Sequence, residues 1–234
     1  MLLVLAGNFL LSRLGAQNST LHLQNFLPKA YKEDVISASP QNWDLAQGPE
    51  GNIYATNFSG ILEYDGSHWR LLDHGKIKSA PSFIAVDAAG TLYAGGKGDL
   101  GYFRPDASGN LTFHSLKNDL PAAFEKQTLD VQDIHCLEQA TYFVGSDWVL
   151  KWDPGQKQLS YYPSQTNITV NFVHAGQLYV LTKGGSFYTL HASGWKALDT
   201  FDFQPFPSPI LAIPQAESSP LNKLLLVFPD ALLW

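Results

Sequence analysis

The sequence predicts an all-β protein: a β-propeller of about five four-stranded blades, the last of them incomplete, belonging to a larger closed ring. Three observations carry that expectation. A strand-turn-strand phrase recurs five times, beginning at Asn42, Ser82, Val131, Thr169 and Ser208. Within the copies the hydrophobic period is two, as in GILEYD, where Ile61 and Glu63 face one way and Leu62 and Tyr64 the other. The repeat length is near 40 residues with four short strands per unit, and units of that kind bury their faces only against their neighbours.

Taken in chain order, the first element is an address. Leu2 to Leu11 is apolar apart from Gly7 and Asn8, too short to span a bilayer, and Leu14-Gly15-Ala16 supplies a small-residue cleavage site before Gln17. No Lys or Arg precedes the run, and Arg13 lies after it. Residues 1–16 therefore read as a signal peptide, 17–40 as a lead-in, and 41–234 as a partial propeller with blades near 41–80, 81–130, 131–167, 168–207 and 208–234.

Blade register follows from the pairs Ile53-Tyr54, Leu92-Tyr93, Tyr142-Phe143 and Leu178-Tyr179, spaced 39, 50 and 36 residues apart. This alignment makes Tyr54, Tyr93, Phe143 and Tyr179 equivalent. The long spacing holds an insertion over 117–130, where LPAAFEKQ predicts one or two helix-like surface turns. Gly51, Gly90 and Gly176 stand where the first hairpin of a blade needs positive φ, and Asp65-Gly66 and Pro154-Gly155 mark the corners between third and fourth strands. The sequence stops at Trp234 inside the third strand of the fifth copy, which reads as the N-terminal piece of a longer protein.

Composition excludes several function classes. With 45% apolar, 13% aromatic and 15% charged residues in 234, the chain can bury a large core. A net charge of −6 without a Lys/Arg cluster argues against nucleic acid as a partner. Cys136 is the only cysteine, so there is no disulfide framework and no cysteine-based metal site, and its place in a first strand reads as a small buried side chain. Seven histidines, at 22, 68, 74, 114, 135, 174 and 191, form no metal-ligand spacing, and no nucleophile elbow or paired acid and base is present, so neither catalytic residues nor a cofactor is assigned. His135 and His174 fall in the first strands of adjacent blades, where they could face the central channel.

The strands of each blade are labelled A to D from the axis outward. The B–C turns carry the candidate ligand-binding residues: Phe58, Lys97 with Asp99 beside it, Trp148 and Lys183. In a propeller these turns share a face with the entries to the A strands, near the channel mouth, where aromatic and polar side chains suit a sugar ring or a peptide.

QNWDLAQGPEGNIYATNFSGILEYDGSHWRLL, followed by IAVDAAGTLYAGGKGDLGYFRPDASG, resembles the entry blades of the two-component-regulator propellers. These are the periplasmic sensor regions of bacterial transmembrane regulators that also carry a triple-tyrosine domain. The likeness runs from about Phe26 to Trp234 and is densest over Gln41 to Gly109. It implies further blades, a triple-tyrosine β-sandwich, a membrane helix and a cytoplasmic output module in the same protein, an inner-membrane anchor, and a periplasmic ligand such as a glycan or peptide. Other propeller families fit less well: Trp43-Asp44 and Trp152-Asp153 lack the upstream Gly-His of WD repeats, and VDAAGTLY lacks the Ser and Trp of a sialidase Asp-box. The expectation is a non-enzymatic extracytoplasmic sensor that binds a ligand or partner. The alternatives are a secreted propeller enzyme acting on glycans and a structural envelope scaffold.

Overall fold

The computed structural model describes residue 34 and residues 38–72, 80–200, 211–214, 224–227 and 232–233. The expected signal peptide, most of the lead-in and much of the fifth blade lie outside the described residues.

Each copy of the repeat is one antiparallel meander. Blade 1 holds β1 (Asn42–Gln47), β2 (Ile53–Asn57), β3 (Gly60–Tyr64) and β4 (Trp69–Leu72). Blade 2 holds β5 (Phe83–Val86), β6 (Leu92–Gly96), β7 (Asp99–Pro105) and β8 (Leu111–Ser115). Blade 3 holds β9 (Asp133–Leu137), β10 (Ala140–Val144), β11 (Trp148–Asp153) and β12 (Gln158–Pro163). Blade 4 holds β13 (Ile168–His174), β14 (Gln177–Thr182), β15 (Ser186–His191) and β16 (Gly194–Thr200). In blade 5, β17 (Leu211–Pro214), β18 (Leu224–Val227) and β19 (Leu232–Leu233) are described. The sheets pair in sequence order, A to B to C to D, with no crossover.

The A strands lie innermost. β5 sits between β1 and β9, β17 lies beside β13, and the His135 ring of β9 reaches the Asn171 side chain of β13. The fold is a β-propeller in which apolar faces meet between blades. Tyr54, Ile61 and Leu72 of blade 1 pack on Ile84, Leu92, Phe103 and Phe113 of blade 2. Tyr93 and Leu100 of blade 2 pack on Ile134, Phe143, Leu150 and Trp152 of blade 3. Tyr142, Val144 and Val149 of blade 3 pack on Leu178, Val180 and Leu190 of blade 4. At roughly 25 cal/mol per Å² of apolar surface buried, these interleaved layers supply the driving force for stacking the blades.

One register expectation is corrected here. Tyr54 and Tyr93 each face the following blade, but in blade 3 the residue doing so is Tyr142, whereas Phe143 points back into the layer shared with blade 2. The slip is one residue, and in a strand one residue exchanges the faces. Blades 3 and 4 close their A–B hairpins alike, at Leu137↔Ala140 and His174↔Gln177, so Tyr142 rather than Phe143 stands where Tyr179 does, two residues past the closure.

The turn chemistry matches the sequence reading. Gly51, Gly90 and Gly176 have φ of 93°, 84° and 71°. The insertion forms two short 3-10 turns, Lys117–Asp119 and Ala122–Phe124, and the buried Phe124 ring anchors it to the layer between blades 2 and 3. Glu63 is buried yet fully engaged: Asn52 Nδ2 and Tyr54 Oη donate to Oε1 at 3.0 and 3.2 Å, and Arg70 Nε pairs with Oε2. This cluster holds the A–B corner of blade 1 to its D strand, and burial together with the Glu63 charge raises the Tyr54 phenol above its ordinary value.

Candidate functional site

The B–C turns are shaped by the connectors that lead from the D strand of one blade to the A strand of the next. Gly98 N donates to Leu129 O at 2.8 Å, Ile168 N to Ser146 O at 2.6 Å, and Lys183 N to Asn167 O at 2.7 Å. In blade 1 the lead-in takes the same role. Asn57 Oδ1 accepts from Ser39 N and Ser59 N at 2.9 and 3.0 Å, while its Nδ2 donates to Ser39 O, Gln41 O and Asn42 Oδ1 at 2.8, 3.0 and 2.7 Å. One amide thereby ties turn, lead-in and first strand together.

This lattice separates the expected site residues into two groups. Phe58 stands at the tip of its turn, 68% exposed and edge-on to the half-exposed Trp43 at 6.2 Å between ring centroids. Lys97 and Lys183 are exposed on their own turns. Trp148 and Asp99, by contrast, point inward. Trp148 is 1% exposed, its Nε1 donates to Thr128 O at 3.3 Å, and its ring meets Phe124 edge-on at 5.0 Å. The reason is local: a Cβ on Gly145 would collide with the Trp148 indole, so the glycine is what lets the ring fold back over its own turn. Asp99 is 6% exposed, and its Oδ1 accepts from Ser115 Oγ at 2.6 Å and from Leu100 N at 2.9 Å. It fastens β7 to β8, and neither residue presents a surface to a ligand.

Lys97 and Lys117 line a spacious pocket on this face. Between its B–C turn and the insertion lies a groove of about 700 Å³, with Lys97, Lys117, Leu120, Pro121 and Leu129 among its walls. Lys117 Nζ donates to Gly98 O at 3.0 Å, which joins the insertion to the turn.

A second polar grouping forms where the A strands begin. His135 Nε2 lies 3.4 Å from Asp133 Oδ2 and also meets Asn171 Oδ1. Asp44 accepts from Ile84 N on the next blade at 2.9 Å and from Leu45 N at 2.8 Å. Burial raises the Asp133 carboxyl and the nearby Asp44 charge adds to it, against the pull of His135, the Ile134 N–H and Asn171. Of these residues only His135 was singled out by the sequence. The signal for the others was the period-two pattern of the A strands, in which Asp133 and His135 in DIH share a face. His174 does not join them; it is buried near Tyr179. Among the described residues no three His, Cys, Asp or Glu side chains gather into a group that could hold a metal ion.

The opposite face, made by the A–B turns, has a cavity of about 350 Å³ between blades 2 and 3 with Asp87, Tyr93, Cys136 and Thr141 in its lining. Burial pushes the Cys136 thiol up to about 12, and Thr141 Oγ1 donates to its sulfur at 3.7 Å. The thiol stays protonated and is a poor nucleophile. Burial also pushes the Tyr93 phenol up to about 12.

No family model and no curated protein match the sequence. Solved structures do match the fold. The extracellular domain of BT4673 from B. thetaiotaomicron, named both a one-component and a hybrid two-component system, superposes with a TM-score of 0.61 at 14% identity over 83% of this chain. PorZ of Porphyromonas gingivalis, a bacterial surface component of the type-IX secretion system, gives 0.56 at 14% identity over 81%. Virginiamycin B lyase of Staphylococcus aureus gives 0.58 at 8% identity over 80% of this chain and 63% of the lyase. The chain spans 27% of the BT4673 domain and 26% of PorZ. The resemblance read from the sequence is thus met at the level of fold by an extracellular regulator domain. Among the described residues no helix is long and apolar enough to cross a membrane.

Proposed function

We propose that this chain is the ligand- or partner-binding propeller of an extracytoplasmic sensor, and that its B–C face is the binding face. The observation that carries this reading is the convergence on that face of the exposed Phe58, Lys97 and Lys183, the groove of the insertion, and the polar A-strand entries at Asp44, Asp133 and His135. Several blades contribute to it, so one bound molecule would bridge units that otherwise touch only their neighbours, and that bridging is a means of passing a binding event along the ring. The fold shared with the extracellular domain of a regulator supports the extracytoplasmic part of this reading. In this reading the region binds without turning over substrate. Its partners are the remaining blades and a triple-tyrosine domain of the same protein, which is anchored in the inner membrane and holds the output module.

The test is calorimetric titration of the protein with a panel of glycans and peptides. Saturable binding that is lost in Phe58→Ala or Lys183→Ala and kept in Lys196→Ala, on the outermost strand β16, is the expected result. Binding indifferent to the turn residues, or hydrolysis of a panel member by the chain itself, would overturn the reading.

A further inference from the structure

The groove at the insertion differs in chemistry from the cavities of the A–B face. One A–B cavity is lined by Asp87 and Glu138 and the other by Glu138 with Lys151, whereas this groove brings two lysines, Lys97 and Lys117, together with Glu125 as the one acidic residue among the described residues of its lining. Lys117 spends one of its three ammonium donors on Gly98 O, which fixes the head group at the groove wall with two donors remaining. Half-buried Leu120, Pro121 and Leu129 supply an apolar floor. The aromatic residue in the lining, Phe124, is 3% exposed and held edge-on by both Trp148 and Tyr161, so no ring face is open for a sugar to stack on. Gln127 and Thr128 add an amide and a hydroxyl able to hydrogen-bond a peptide backbone. A volume of about 700 Å³ accommodates two or three residues of a peptide, within the usual 300 to 1,000 Å³ of ligand sites.

From this set we infer that the groove binds the free carboxy-terminal end of a peptide whose last side chain is apolar, the two lysines taking the carboxylate and the leucines and proline taking the side chain. The inference rests on the B–C face being the binding face. Carboxylate recognition by paired ammonium groups makes charge-assisted hydrogen bonds, stronger than neutral ones and weakened by salt.

The probe is acetyl-Gly-Ala-Leu with a free carboxylate, titrated into the full chain at low salt against the same peptide as its carboxamide. The free acid should bind at least about tenfold more tightly, the gap should shrink in high salt, and Lys97→Gln with Lys117→Gln should abolish it at an unchanged melting temperature. Lys126→Gln, outside the lining, should keep it. Equal binding of acid and amide, or a preference that survives the double substitution, would refute the proposal. If the acid fails to bind while another panel member binds and is lost in Phe58→Ala or Lys183→Ala, the carboxylate inference falls and the binding face stands. If no panel member depends on the turn residues, both fall.

Discussion

The B–C hairpins of blades 2 and 3 occupy the same place in the repeat, yet the candidate residues drawn from them, Lys97 on a turn and Trp148 at the start of a strand, end up in opposite environments. Lys97 of blade 2 is exposed beside an open groove, whereas Trp148 of blade 3 is sealed under Phe124. A single connector touches both hairpins. The insertion ending at Asp130 accepts from Gly98 N through Leu129 O and from Trp148 Nε1 through Thr128 O, so it runs alongside one turn, leaving the Lys97 side chain exposed, and caps the Trp148 ring. Exposure follows the place in the hairpin: Lys97 stands on its turn, whereas Trp148, like Asp99, opens a C strand and is buried.

The largest expected effect breaks this comparison on the buried side. Trp148→Ala should destabilise the fold by about 3–5 kcal/mol in urea titration, the usual cost of deleting a buried large aromatic. Gly145→Ala should also be costly in the native background and much less so when Trp148 is already alanine, since the collision is with the indole. Independent, additive costs would show that the glycine is not what seats the ring.

Asn57 sharpens the comparison at blade 1, where the lead-in stands in for a connector. Asn57→Ala removes the Oδ1 that accepts from the Ser39 and Ser59 N–H groups and should cost about 1–3 kcal/mol, with faster hydrogen exchange at both amides. Asp99→Ala, at the corner next to the exposed Lys97, removes the acceptor for Ser115 Oγ and Leu100 N and should cost about 1–2 kcal/mol. A loss of ligand binding in Asp99→Ala without a loss of stability would return that residue to the site.

Smaller still is the effect of pH at the A-strand entries. Because burial raises the Asp133 carboxyl in the folded chain, the folded state holds that proton more tightly than the unfolded state. Its contribution to stability is present at low pH and is lost as pH rises through the raised folded value, in a window opening near the ordinary 3.8. Asp133→Asn should flatten that part of the pH profile by less than about 1 kcal/mol, given the carboxyl's partial exposure, and a profile identical to the parent's would contradict the assignment. At the exposed end of the comparison, Lys97→Ala should leave stability within about 0.5 kcal/mol of the parent chain, so any effect on ligand affinity is read without correction.

Much of the fold was legible because a blade writes itself locally. Ile61 and Glu63 face blade 2 and Leu62 and Tyr64 face the other way, as period two requires. The insertion formed its two turns. The register of blade 3 was not legible, since Tyr142 and Phe143 are both aromatic and only the closure at Leu137↔Ala140 decides which of them faces blade 4. Among the candidate site residues, the exposure of Phe58, Lys97 and Lys183 was legible from their turn positions. The burial of Trp148, the gathering of Asp133 and Asn171 around His135 and the approach of Asp44 to Asp133 were not.

The sequence by itself determined the number of repeats, the strand order within each and the two faces of most strands, because strand periodicity and turn chemistry act over a few residues. The tertiary structure decided which turns reach solvent, which A-strand polar groups meet, and where the groove opens. Those outcomes depend on contacts such as Trp148 with Thr128 and His135 with Asn171, made between segments far apart in the chain, and local pattern carries no information about distance across the ring.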